Sequence, residues 1–323
     1  MSNPEEKDEK VEDPDEVYEK LKRSNFKQQR LPAWRPVPTI MCTTIIFTSF
    51  GVIFIILGIV ILVYSSKVVE ISKEYGSDVS IGNTGTISLT IEEDMDAPIM
   101  VYYQLDGFYQ NHRRYVKSKS DDQLHGESFT YTEMKDNGDC DPVISNEEMG
   151  QVMSFTGKAL EPNELAVPCG LIAKSYFNDI YTKWQKQDGR EIYVNENDIS
   201  WSADKEIKFK NTNNLDKQWI NMTDEHFMVW MRPAGLPNFR KLWGRIEGDA
   251  QSLKEGDVLT ITYKNNYDVS KYKGKKHIVL STVNGFGGKN NFLGISYIVV
   301  GGICIILAIV FMIGYKMHEN KIK

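Results

Sequence analysis

Two uninterrupted apolar runs constrain this chain more than anything else in it. Residues Ile40 to Tyr64 form 25 positions without a charged side chain, and Ile295 to Tyr315 form 21 more, dense in Ile, Val, Leu and Phe. As α-helices they would extend about 37 and about 32 Å, enough to cross a hydrocarbon layer of about 30 Å. A buried core helix is usually shorter and keeps a polar side, whereas both runs are apolar all round. A cleaved signal sequence is an equally poor reading of the first run, because 39 mostly polar residues precede it and its apolar stretch is too long.

Flanking charge sets the orientation. Lys20, Lys22, Arg23, Lys27, Arg30 and Arg35 fall in the 20 residues before Ile40, against only Lys67 and Lys73 in the 20 after Tyr64. The excess predicts a cytosolic N-terminus, and a second crossing returns residues 316–323 to the same side. The domain expectation is therefore a cytosolic tail 1–39, a span 40–64, an exoplasmic or lumenal domain 65–294, a span 295–315 and a short cytosolic tail. Within the first tail, residues 1–19 carry nine acids and two lysines and are expected to be disordered, while 20–39 form a basic, proline-rich segment. The net charge of −6 comes from that acidic stretch, so it implies no polyanion-binding surface, and a lumenal domain leaves nucleic acid out.

In Phe26 to Thr39, Pro32, Pro36 and Pro38 forbid a continuous helix and predict a stiff, extended approach to the membrane. Positive charge alone would set topology. It would not require Gln28, Gln29 or Trp34, so docking to a partner is an equal reading of the segment. The middle domain reads as β structure. Ile87, Leu89 and Ile91 alternate with Ser and Thr, and 258–263 and 278–283 are β-branched runs bounded by Gly and Asn turns. An antiparallel β-sandwich with α+β insertions follows, one helix being expected around Leu171 to Tyr181. Glycines seven apart, Gly51 and Gly58, Gly294 and Gly301, offer each span a strip for close packing.

Cys140 and Cys169 are the only cysteines of the middle domain. In an oxidising compartment one disulfide between them is expected, two free thiols being the alternative. Asn221, Met222 and Thr223 form the single Asn-x-Ser/Thr acceptor for glycosylation. No pattern for an active site emerges. The chain lacks GxSxG, HExxH, an EF-hand loop and DKTG, and its histidines have no metal-ligand spacing. Neither a catalytic residue nor a metal or other cofactor is expected. Glu92, Glu93, Asp94 and Asp96 read as a solvated acidic loop, and Gly285 to Lys289 as a turn. Two basic and aromatic clusters, 111–117 and 232–245, fit either anionic partners or internal ion pairs.

Six segments carry a resemblance. FKQQRLPAWRPVPT (26–39), YYQLDGFYQNHRRYVKS (102–118), PCGLIAKSYFND (168–179), ISWSADKEIKFKN (199–211), VWMRPAGLPNFRKLWGRI (229–246) and GKKHIVLSTVNGFGGKNNFLG (274–294) occur in that order. With the two spans, they resemble the Cdc-fifty/Lem-three family, accessory subunits of the type IV P-type ATPases that flip phospholipids. The resemblance implies a two-pass, non-catalytic heterodimer partner of such a pump, in contact with membrane phospholipids. It would escort the pump from the endoplasmic reticulum to a Golgi, endosomal or plasma membrane and support its phosphorylation cycle. It implies a cytosolic contact made by Phe26, Gln28, Gln29, Arg30, Leu31, Pro32, Trp34 and Arg35. Many relatives carry extra paired cysteines early in the ectodomain; their lack here predicts a looser hairpin around Ser77 to Asp96. A two-pass ion-channel subunit is the rival class, although such ectodomains are usually cysteine-rich.

Overall fold

The computed structural model describes residues 14–30, 39–248, 251–285 and 287–322. These described residues divide into two compact units, those up to 55 with 299–322, and those within 56–298. Helices α1 (Pro14–Arg23) and α2 (Ile40–Ser66) come first, then strands β1 (Glu70–Tyr75), β2 (Thr84–Thr90) and β3 (Ile99–Asp106). The short helices α3 (Arg113–Lys117), α4 (Asp121–Leu124), α5 (Tyr131–Asn137), α6 (Asn146–Met149) and α7 (Leu171–Lys174) follow. Strands β4 (Ile180–Lys186) and β5 (Val194–Asn195), helix α8 (Glu225–Met231), β6 (Phe239–Ile246), β7 (Val258–Lys264), β8 (Lys275–Thr282) and α9 (Asn291–Ile322) complete the order.

All pairing within the two sheets is antiparallel. One sheet has the order β1-β8-β3-β6-β5 and the other β2-β7-β4. Alternation dictates the inward faces. In β2, Ile87 and Leu89 are buried while Thr86, Ser88 and Thr90 are exposed, and they oppose Ile261 and Leu259 of β7. Central β8 buries consecutive residues, Ile278 to Ser281, because it has neighbours on both edges and cover on both faces. Aromatic side chains join the layers. Tyr75 of β1 meets Tyr263 of β7 with centroids 4.7 Å apart, and Tyr181 of β4 meets Trp243 of β6 edge-on at 4.9 Å. Trp243 is the extra residue of a bulge opposite Val101 and Tyr102, and the bulge aims its ring into this cluster.

Several expectations need correction. Ser77 to Asp96 is not a hairpin, since β1 and β2 belong to different sheets and β2 pairs with β7 instead. The helix after Gly170 ends at Lys174, and Ile180 and Tyr181 begin β4, where β-branched and aromatic side chains gain more from the sheet than from a helix. Residues 14–19, expected to be disordered, lie in α1, and residues 1–13 lie outside the described residues. The first apolar helix extends two residues past Tyr64, and the second runs from Asn291 to Ile322, taking up most of the expected C-terminal tail.

The paired glycines explain how the two spans pack. In the first unit a Cβ on Gly51 would lie 2.6 Å from Ile305 Cδ1, and one on Gly301 would lie 2.8 Å from the Gly51 carbonyl. In the second unit a Cβ on Gly58 would lie 2.6 Å from Ile298 Cγ1, and one on Gly294 would lie 2.7 Å from Leu62 Cγ. The backbones therefore approach to a distance only glycine allows. Just outside this stretch, Ser65 Oγ donates to Asn291 Oδ1 at 2.8 Å, and the Asn284 amide donates to the Tyr64 carbonyl at 2.7 Å. Gly58→Val should cost about 1–3 kcal/mol through overpacking. Gly302→Val should be neutral, since nothing lies within 4 Å of its Cβ position. Melting of the detergent-solubilised full chain tests the pair, and equal melting temperatures would refute the packing role of Gly58.

Candidate partner-binding surfaces and the network behind them

Of the residues expected to make the partner contact, Phe26, Gln28, Gln29 and Arg30 follow α1 in a tight turn. Gln28 N–H donates to the Ser24 carbonyl, Arg30 N–H to the Asn25 carbonyl, and Gln28 Nε2 to the Leu21 carbonyl at 3.2 Å. Gln29 adopts the left-handed conformation at φ 55°, so this stretch coils back and is not the extended strip predicted for it. The Phe26 ring is 75% exposed, a large apolar group left mostly in solvent. Leu31, Pro32, Trp34 and Arg35 lie outside the described residues.

Cys140 and Cys169 are bonded to each other, with Cα atoms 5.7 Å apart and both side chains buried. Two buried polar residues frame them. Ser118 Oγ donates to the Cys140 carbonyl at 3.1 Å and accepts from Leu171 N–H at 2.8 Å. Gln123 accepts from Cys169 N–H at 2.9 Å and donates to the Ala166 carbonyl at 3.0 Å. Gly170 sits at φ +99°, and a Cβ there would lie 2.7 Å from the Ser118 carbonyl carbon, so the residue after Cys169 must be glycine. Asn221 is half-buried; its Oδ1 accepts from Thr223 Oγ1 at 2.8 Å and from Asn211 Nδ2 at 2.8 Å.

The basic and aromatic cluster at 232–245 is largely committed internally. Arg232 grips the buried Asp204 with Nε at 2.5 Å and Nη2 at 2.9 Å, and its guanidinium lies 5.3 Å over the Trp201 ring. Burial is the strongest influence on Asp204 and pushes its pKa up, but Arg232 and Lys208 together hold the carboxyl below its ordinary value. Lys241 turns inward and donates to the carbonyls of Val229, Trp230 and Arg232, closing the C-terminal end of α8. Burial, helped by the Arg232 charge, pushes its amine down to about 7. Arg240 forks onto Glu70 at 2.7 and 2.9 Å, tying β6 to β1. In the other basic cluster, Arg113 and Arg114 are exposed and make no ion pair among the described residues. The acidic loop is tied down too, Asp94 and Asp96 both pairing with Lys254.

Sequence reading missed the most deeply buried charges. Lys276 is 1% exposed, yet its ammonium donates to Asp179 Oδ2 at 2.6 Å, to the Tyr267 carbonyl at 2.8 Å and to Asn265 Oδ1. Asp179 in turn accepts from Tyr75 Oη at 2.9 Å and from the N–H groups of Asn266 and Tyr267, both at 2.7 Å. Burial lowers the pKa of Lys276 and Asp179 pulls against it; burial first, then neighbouring Tyr and Asp charge, raises Tyr75 and Tyr181. Tyr75 and Tyr181 share a 2.6 Å contact between hydroxyls, so the network links β1, β4, β8 and the loop after β7. Among the described residues no group of three or more His, Cys, Asp or Glu side chains could hold a metal ion.

Comparison with known proteins places this arrangement. The pattern of the LEM3 (ligand-effect modulator 3) / CDC50 family matches residues 62–321. The chain belongs to the LEM3/CDC50 family. ALA-interacting subunit 3 of Arabidopsis thaliana is 38% identical over 330 residues, covering 93% of this chain and 88% of that protein. Cell cycle control protein 50A of Bos taurus is 36% identical over 340 residues, covering 92% and 89%. A Chaetomium thermophilum protein named phospholipid-transporting ATPase accessory subunit CDC50 is 31% identical over 262 residues, 73% of this chain and 60% of its own length. The segments that carry the resemblance to the LEM3/CDC50 family meet one another in space. Ser118 bonds to Leu171, Asp204 to Arg232, Trp230 Nε1 to the Ile172 carbonyl, and Asp179 to Lys276. The LEM3/CDC50 signature is largely a single folded scaffold, and this chain is an integral membrane protein with two apolar helices.

Proposed function

We propose that this chain is the non-catalytic accessory subunit of a type IV P-type ATPase that moves phospholipids across the membrane. It forms a heterodimer with the pump, escorts it out of the endoplasmic reticulum and supports its catalytic cycle. The observation that carries this reading is the near full-length match to ALA-interacting subunit 3, joined by a match over 73% of this chain to a protein named as a phospholipid-transporting ATPase accessory subunit. The construction of the ectodomain agrees with it: buried charges are committed to internal bonds that stiffen a surface, which suits a clamp. With six cations before the first span and two after it, we place both termini in the cytosol and residues 65–294 outside or in a lumen of the secretory pathway. In that compartment Asn221 is a candidate for glycosylation, its bonds to Asn211 and Thr223 all being made through Oδ1.

Affinity purification of the full chain in mild detergent, with identification of the largest partner, tests the assignment. Recovery of a protein carrying DKTG is expected, and its repeated absence would overturn the reading. The cytosolic contact has its own test. Deleting residues 26–39 should reduce pump recovery roughly tenfold or more, the loss of about 1.4 kcal/mol or greater. Unchanged recovery would leave that segment a topology signal only.

A further inference from the structure

From Lys20 to Thr39 the chain carries six cations and no acid, directly before the apolar helix that begins at Ile40. In α1 the charges are sorted: Asp15, Glu16 and Glu19 precede, and Lys20, Lys22 and Arg23 occupy the last turn, the end nearer the membrane along the sequence. Glu19 is 3.9 Å from both Lys22 and Arg23, but these side chains are exposed and such contacts hold little. Lys27 makes no ion pair among the described residues. Beside these cations stand two largely exposed rings, Tyr18 at 60%, with the Lys22 ammonium 5.2 Å from its centroid, and Phe26 at 75% exposure. Exposed aromatic rings interleaved with cations suit the headgroup boundary of a bilayer, where the ring sits at the interface and the cation meets phosphate.

We infer that residues 18–30 form a second, lipid-facing contact: they bind anionic headgroups of the cytosolic leaflet through Lys22, Arg23 and Lys27, with Tyr18 and Phe26 seated at the interface. The inference rests on the orientation and the pump-subunit reading given above. Charge complementarity selects the occupant, because each Lys or Arg beside an anionic leaflet strengthens binding about fivefold and the effect fades within a Debye length. The positive-inside rule accounts for the sign of the segment, but it makes no use of the exposed rings.

Hydrogen exchange of residues 14–30 in the full chain, without pump, is the test. The chain is placed in nanodiscs of phosphatidylcholine alone or with roughly a third phosphatidylserine. Slower exchange is expected only with phosphatidylserine, and lost at about 0.5 M salt. Lys22→Gln/Arg23→Gln/Lys27→Gln should weaken the interaction up to about a hundredfold and abolish the protection, while Lys22→Arg/Arg23→Lys/Lys27→Arg retains it. Protease accessibility of the N-terminus checks that the triple variant keeps its orientation. Equal exchange in both lipids, protection insensitive to the triple variant, or equal protection by soluble glycerophosphoserine would each overturn the inference. Pump recovery with the triple variant is read separately: its loss alongside normal lipid protection in the parent bears on docking and leaves the lipid contact standing.

Discussion

Asp179→Ala is expected to unfold much of the ectodomain. The substitution leaves the Lys276 ammonium without its carboxylate, and it removes the acceptor of Tyr75 and of two backbone N–H groups at once. Breaking one side of a buried ion pair costs about 3–5 kcal/mol, a large share of the roughly 5–15 kcal/mol that holds a typical domain folded. Lys276→Met should cost less, because Asp179 keeps three donors. The measurement is the melting temperature of the full chain in detergent, with the fraction leaving the endoplasmic reticulum as its cellular counterpart. A parent-like melting temperature for Asp179→Ala would mean that the pair is solvated in solution, and the rigid-clamp reading would lose its main support.

The second large effect is expected from Cys140→Ser. The disulfide closes a loop with a sequence separation of 29, which on the chain-entropy account is worth about 3–4 kcal/mol. The loop also carries α6, whose capping box of Ser145 and Glu148 starts it and whose end is Gly150, and the hydrogen bonds of Ser118 and Gln123 converge on its two ends. Opening the bond would leave a thiol in an apolar pocket and free that insertion from the sheets. Reduced pump recovery and increased proteolysis between residues 140 and 169 are expected in the full-length variant. Parent-like recovery would show that the hydrogen-bonded frame suffices without the covalent link.

How much of this was legible beforehand follows from the range of the forces involved. The two spans could be read because a bilayer demands a long run of apolar side chains, which is a local property of the chain. The strands at 84–90, 258–264 and 275–282 could be read because alternation and β-branching are local as well. The cysteine pair could be anticipated because the ectodomain holds no other cysteine. The glycine strips were visible as a spacing, although not the fact that each strip is consumed by the other span.

Strand pairing was not legible. β1 and β2 are neighbours in sequence, yet they join different sheets, β1 pairing with β8 and β2 with β7, whose partner residues lie about 170 to 210 positions away in the chain. Nor could the sequence say that Lys241 and Lys276 point inward while Arg113 and Arg114 stay in solvent, since all four look alike in a linear list of charges. The basic cluster at 232–245 was open to two readings. The fold decided for internal pairing, by bringing Asp204 and Glu70 to within 3 Å of its arginines.

The amino-acid sequence thus determined the two apolar spans, the β-rich character of the domain between them and the family, each of which rests on local composition or on residues recognised in order. The tertiary structure alone decided which charges are buried, which strands pair and which side chains remain free to meet a partner. Those outcomes depend on contacts between residues far apart in the chain, and the cost of desolvating a charge is settled only when the distant group that compensates it has arrived.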